Sequence, residues 1–146
     1  CATGGVSALI GRDDIVGRLG EDVFYSCTFS GAPGPASVAA ATVRWLIENQ
    51  AAVYGEGGHL RRIGAALKDG LNKVFADSGI AAQCVGQPER SSLVFAAGEE
   101  ARREWCSRMI GAGVVMDRPQ FPVLCHRMED VDRTLEVARL VTENVV

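Results

Sequence analysis

Between residues 58 and 77 the apolar side chains recur at a spacing that only a helix gathers onto one face. Leu60, Ile63, Leu67, Leu71, Val74 and Phe75 step by three and four, while Arg61, Arg62, Lys68, Asp69 and Lys73 occupy the other faces. A stripe of this length has to be buried against a second layer, so the chain is committed to a packed core that includes a long helix. Ser78-Gly79 supplies the stop.

Weaker patterns predict three more helices. One covers about residues 37–49, with Val38, Ala41, Trp45 and Leu46 on one face. The next covers about 98–110 and ends at Gly111-Ala112-Gly113. The last covers about 129–144, with Val131, Leu135, Ala138, Thr142 and Val145 inward and Glu129, Asp130 and Asp132 at its positive end. A turn and a short helix are expected over 12–19, and the Gly and Pro cluster at 31–35 reads as loop. Short apolar runs at 6–10, 23–26, 82–86, 91–96, 114–116 and 121–125 read as extended segments. From residue 80 onward the expected order is strand, strand, helix, strand, strand, helix, which describes an α+β layer with helices on one face of a small antiparallel sheet.

At 146 residues, 47% of them hydrophobic, the chain is one domain or part of a larger one. A net charge of −3 and the lack of a basic stripe with interleaved aromatics argue against nucleic acid as a partner. No apolar run approaches the roughly 20 residues of a membrane span. Five dispersed cysteines (Cys1, Cys27, Cys84, Cys106, Cys125) with no CxxC pair, and only two histidines, argue against a metal site. They read instead as free thiols of a reducing compartment, and the chain as cytoplasmic. It opens on Cys1 with neither an initiating methionine nor a signal peptide, so a fragment is expected.

The segment Ser26-Cys27-Thr28-Phe29-Ser30-Gly31-Ala32-Pro33-Gly34-Pro35, followed by an alanine-rich run, has the makings of an anion cradle. Hydroxyls and backbone N–H groups can converge there at the positive end of a helix. From residue types alone Thr28 is either a phosphate donor or a turn cap. His126 reads as a hydrogen-bonding residue near the start of the last helix, His59 as helix surface or helix start, and Lys68 and Lys73 as solvated charge.

Four stretches, in order, resemble class III pyridoxal-phosphate-dependent aminotransferases, above all the glutamate-1-semialdehyde aminomutase branch. Ser7-Ala8-Leu9-Ile10-Gly11-Arg12-Asp13-Asp14-Ile15 resembles the strand and turn after the family's Schiff-base lysine. Cys27-Thr28-Phe29-Ser30-Gly31-Ala32-Pro33 resembles its Gly-Thr-x-Ser-Gly-x-Pro segment. The run from His59 to Leu71 resembles the linker helix into the small domain, and Cys125-His126-Arg127-Met128-Glu129-Asp130 resembles the entry to the last helix.

The resemblance implies the C-terminal part of a fold type I transferase, α/β and α+β. Residues 1–49 would be the end of the large domain, 50–79 the linker helix, and 80–146 a small domain with a short antiparallel sheet covered by helices. It implies pyridoxal 5'-phosphate as cofactor of the parent enzyme and a homodimer in which Thr28 reaches the cofactor phosphate of the partner subunit. Cys27 would contribute through its backbone. Arg118 would either meet a substrate carboxylate, as an arginine does in some branches of the family, or be a solvated loop arginine. The Schiff-base lysine is absent from the chain: either it lies upstream of Cys1 or Cys1 replaces it. The implied function is that of an aminotransferase or aminomutase fragment, inactive alone. The alternative is a stand-alone, non-catalytic binding or assembly domain descended from such an enzyme.

Overall fold

The computed structural model describes residues 8–24, 33–117 and 119–143. The chain divides into two compact units, Cys1–Asn49 and Gln50–Val146.

In the first unit, helix α1 (Asp13–Val16) is a single turn, and Arg12 pairs with Asp14 just at its start. An isolated bridge joins Leu19 and Val23. Residues 8–10, expected in a strand, pair with no strand among the described residues. Helix α2 (Pro33–Glu48) begins four residues earlier than expected and absorbs part of the anticipated loop. Pro33 and Pro35 occupy its first turn, where backbone N–H groups have no intrahelical partner, so the missing donors of proline cost nothing there. No residue of α2 is buried; Trp45 is 44% exposed and Ile47 69%.

The second unit begins with α3 (Gln50–Tyr54) and continues with α4 (His59–Asp77), the helix of the long apolar stripe. The stripe buries Leu60, Ile63, Leu71, Val74 and Phe75. Gly79, at φ +68°, turns the chain out of the helix. Its N–H bonds the Ala76 carbonyl and that of Ile80 bonds the Phe75 carbonyl, the two bonds of a Schellman stop. Strands β1 (Ala82–Gln87) and β2 (Arg90–Phe95) form an antiparallel hairpin closed by Pro88-Glu89. Helix α5 (Glu99–Gly111) ends in a second Schellman stop, with Gly113 at φ +86° and the Val114 N–H on the Met109 carbonyl. Helix α6 (Met128–Glu143) closes the described chain. The Asp130 carboxylate accepts the Arg127 N–H at 2.7 Å, one half of a capping box.

The core lies between α4, the inner face of the hairpin, α5 and α6. Phe75 is its centre, with ring centroids 5.5 Å from Phe95 and 5.4 Å from Trp105, both edge-on. Trp105 donates its indole N–H to Thr142 at 3.0 Å, which satisfies the one polar atom that the ring brings inside. The outer edge of β1 is covered by α4: the Asn72 side chain bonds both the N–H and the carbonyl of Cys84, and Lys68 donates to the Gly86 carbonyl at 2.8 Å. Lys68, expected as free surface charge, therefore helps to blunt a sheet edge. Cys84 and Cys106 are buried free thiols, and burial pushes both thiol pKa values up; Cys125 is exposed.

Two expected strands do not form. At 114–116 the Val114 N–H is consumed by the α5 stop and Val115 is 84% exposed. At 121–125 the only pairing is one residue earlier, where Gln120 exchanges both backbone bonds with Ser91. Pro119 and Pro122 flank that bridge, and neither has an N–H with which to extend the ladder. The sheet is thus two strands with a single added rung.

Candidate functional site

Thr28, Cys27 and Arg118, the three residues singled out from sequence, lie outside the described residues. One concave site among the described residues lies in the second unit, a cavity of about 430 Å³ between α4, the segment after α5 and the start of α6. Ile63, Leu67, Met116, Phe121 and Val131 give it apolar walls; Asp117, Gln120, His126, Asp130, Arg133 and Thr134 are its polar lining. A mainly apolar cleft with a few fixed polar groups is the usual form of a small-molecule site.

Each polar group is held by the local fold. His126 takes the Val123 N–H on Nδ1 at 3.1 Å, which leaves Nε2 as the nitrogen that carries the proton. Its carbonyl meets His59 Nε2 at 2.8 Å, so the first residue of α4 is tied to the loop before α6. Thr134 donates to the Asp130 carbonyl one turn back. Gln120 is 8% exposed; its amide nitrogen donates to the Asp117 carbonyl and its oxygen is buried without a partner. Arg90 stands over the Phe121 ring, 5.8 Å from its centroid.

The wall between Met116 and Gln120 is held from behind by a residue that sequence reasoning missed. Arg102 on α5 is 6% exposed, the one buried charged residue among the described residues. Its Nε and Nη2 bond the Glu99 carboxylate at 3.0 and 2.6 Å, and its Nη1 bonds Asp117 at 2.9 Å. These two carboxylates, Glu99 first, raise its pKa further above the ordinary arginine value. A signal was present in the sequence: Arg102, Cys106 and Met109 share the inward helical spacing of α5.

No protein-family model matches the chain. Two curated relatives are glutamate-1-semialdehyde 2,1-aminomutases. That of Halobacterium salinarum is 32% identical over 104 residues, which cover 70% of this chain and 22% of the relative. That of Thermomicrobium roseum is 30% identical over 152 aligned positions, 92% of this chain and 34% of the relative. Among solved structures, the FumI protein of Sphingopyxis sp. MTA144, in its pyridoxal-phosphate internal aldimine form, matches with a TM-score of 0.70 and 26% identity over 85% of this chain and 30% of FumI. The expected kinship with pyridoxal-phosphate-dependent aminotransferases holds. A β-phenylalanine aminotransferase from Variovorax paradoxus shares the fold, with a TM-score of 0.71 at 20% identity over 89% of this chain and 33% of that protein. The chain thus spans only about a fifth to a third of the length of its aminomutase relatives, and the part it matches fits the C-terminal portion of an aminotransferase. Pyridoxal phosphate, the cofactor implied by the motifs, is the one seen in FumI.

Proposed function

We propose that this chain is the C-terminal part of a class III pyridoxal-phosphate-dependent aminotransferase or aminomutase that acts on an amino acid or an amino-aldehyde or keto substrate. The observation that carries the reading is one likeness found by two routes: sequence shared with an aminomutase over 92% of the chain, and a fold shared with FumI over 85% of it. In this reading residues 1–49 end the cofactor-binding large domain, 50–79 lead out of it, and 80–146 form the small domain that walls the substrate cleft. The enzyme is a cytoplasmic homodimer.

The lysines test how far these residues fit the cofactor. Lys68 and Lys73 are the only two in the sequence. Lys68 donates to the Gly86 carbonyl and Lys73 pairs with Asp77 at 2.9 Å, and neither lines the cavity. Neither fits the cofactor aldehyde, so the chain lacks the group that would carry the covalent chemistry. Pyridoxal phosphate, when bound, supplies an electron-poor ring through which an amino group is moved. What the chain's own residues contribute is binding. The Thr28 hydroxyl and nearby backbone N–H groups, Cys27's among them, are suited to a dianionic phosphate, reached in the partner subunit. Arg118 offers a planar guanidinium to a substrate carboxylate, which it can grip through two parallel hydrogen bonds. The second reading, a stand-alone binding domain, draws its support from the same engaged lysines.

Thr28→Val tests the phosphate role in the enzyme encoded by the complete reading frame. Loss of one hydrogen bond to a charged group costs about 1.5–3 kcal/mol, so the cofactor is expected to dissociate roughly tenfold to a hundredfold more readily. Unchanged retention of pyridoxal phosphate, followed by absorbance during dialysis, contradicts that role.

A further inference from the structure

We propose that Asn72 and Lys68 guard the outer edge of β1, a surface otherwise matched to the same strand of a second copy of this chain.

The strand carries no protection of its own. Ala82-Gln83-Cys84-Val85-Gly86-Gln87 has neither a charged residue nor a proline, the features that commonly keep a bare strand edge from pairing. Alternate residues of an antiparallel strand turn their backbone groups away from the partner strand, and here Cys84 and Gly86 turn theirs away from β2.

The protection comes from α4. Asn72 uses its side-chain amide as a strand residue uses its backbone: Oδ1 accepts the Cys84 N–H at 2.7 Å and Nδ2 donates to the Cys84 carbonyl at 3.2 Å. Lys68, one turn earlier, donates to the Gly86 carbonyl at 2.8 Å and adds a charge. The two repeats match. Four residues of helix rise about 6 Å and two residues of strand about 6.6 Å, so side chains at i and i+4 meet alternate residues of an antiparallel edge. One step further the register sets Ala76 beside Ala82, and alanine has no polar group to offer. There the surface opens into a groove of about 760 Å³ lined by Asn72, Ala76, Ile80, Ala82 and Cys84 among others. The helix thus reaches this edge through two side chains and does not fill it with its body.

The occupant kept out is a second copy. Two β1 strands set antiparallel about Cys84 would exchange both backbone bonds at the twofold axis, with Ala82 opposite Gly86 and Gln83 opposite Val85. Gln83 and Val85 are both exposed on the hairpin, and the strand has no charge with which to repel its own copy.

The test measures the mass of the full 146-residue chain in solution by sedimentation. Asn72→Leu keeps the bulk of the side chain and removes both bonds. Its weight-average mass is expected to rise about twofold over that of the wild type at the same concentration, the ratio for a closed pair. Gln83→Lys and Val85→Lys, added together, set like charges opposite each other across that pair and should return the mass to the wild-type value. An Asn72→Leu chain that keeps the near-ultraviolet circular dichroism and the mass of the wild type overturns the inference. An association that the two added changes leave intact overturns it as well. Should Asn72→Leu not fold, Lys68→Met decides: a mass above the wild-type value supports the guard, and the wild-type mass overturns it.

Discussion

Gly64→Ala is expected to destabilise the second unit by about 3 kcal/mol, a large effect for one added methyl group. Helix propensity alone argues the reverse, since alanine is better than glycine in a helix interior by roughly 1 kcal/mol. The packing decides. Gly64 lies where the hairpin turn meets α4, and a Cβ there would sit 1.9 Å from the Pro88 carbonyl oxygen and 2.5 Å from its carbon. Both are backbone atoms, so neither can rotate aside, and the turn would have to lift from the helix. That movement would also strain the Arg61–Glu89 ion pair and the Lys68 bond to Gly86 beside it. Gly111→Ala is the control: a Cβ there meets nothing within 4 Å, and the change should stabilise by about 0.5–1 kcal/mol. Urea unfolding of both variants gives opposite displacements of the midpoint at constant slope. A stabilised Gly64→Ala would show that the turn does not rest on the helix.

Phe75→Ala is expected to have the largest effect of any core truncation, about 4–5 kcal/mol. The side chain has 0% exposure and stacks edge-on against two rings at once. Its removal leaves a void between α4, β2 and α5, and each lost aromatic pair adds about 0.5–1.5 kcal/mol to the transfer and cavity costs. The indole of Trp105, bonded to Thr142, is held too firmly to fall into the gap. Phe75→Leu refills most of the volume and should recover about half of the loss. Near-ultraviolet circular dichroism during unfolding reports the tryptophan environment directly. A Phe75→Ala variant as stable as the parent would place the centre of the core elsewhere.

The helices were legible in the sequence because burial imposes a period. Leu60, Ile63, Leu71, Val74 and Phe75 are inside as their spacing requires, and Ser78-Gly79 ends α4 as its chemistry suggests. The structure departs from the expected elements where a local rule meets a special position. Pro33 and Pro35 read as loop but sit in the first turn of α2, the one place in a helix where proline is at home. The runs at 114–116 and 121–125 look like strands by composition, yet a helix stop consumes one and prolines deny a ladder to the other. Short apolar runs carry no information about partners, and a strand needs one. Residue types leave Thr28 open between phosphate donor and turn cap, the resemblance alone points to Arg118, and both fall outside the described residues. Arg102 is hidden from a reading by residue type because arginine is mostly exposed, yet it stands on the buried face of α5.

In the proposed enzyme the reactive lysine is encoded upstream of these residues. Sequencing the transcript before the Cys1 codon decides between the two readings: an open frame that runs back through a lysine codon just before the glycine turn and on into a large cofactor-binding domain is expected. A start codon at that point, with no such domain before it, would overturn the enzyme reading in favour of a stand-alone binding domain.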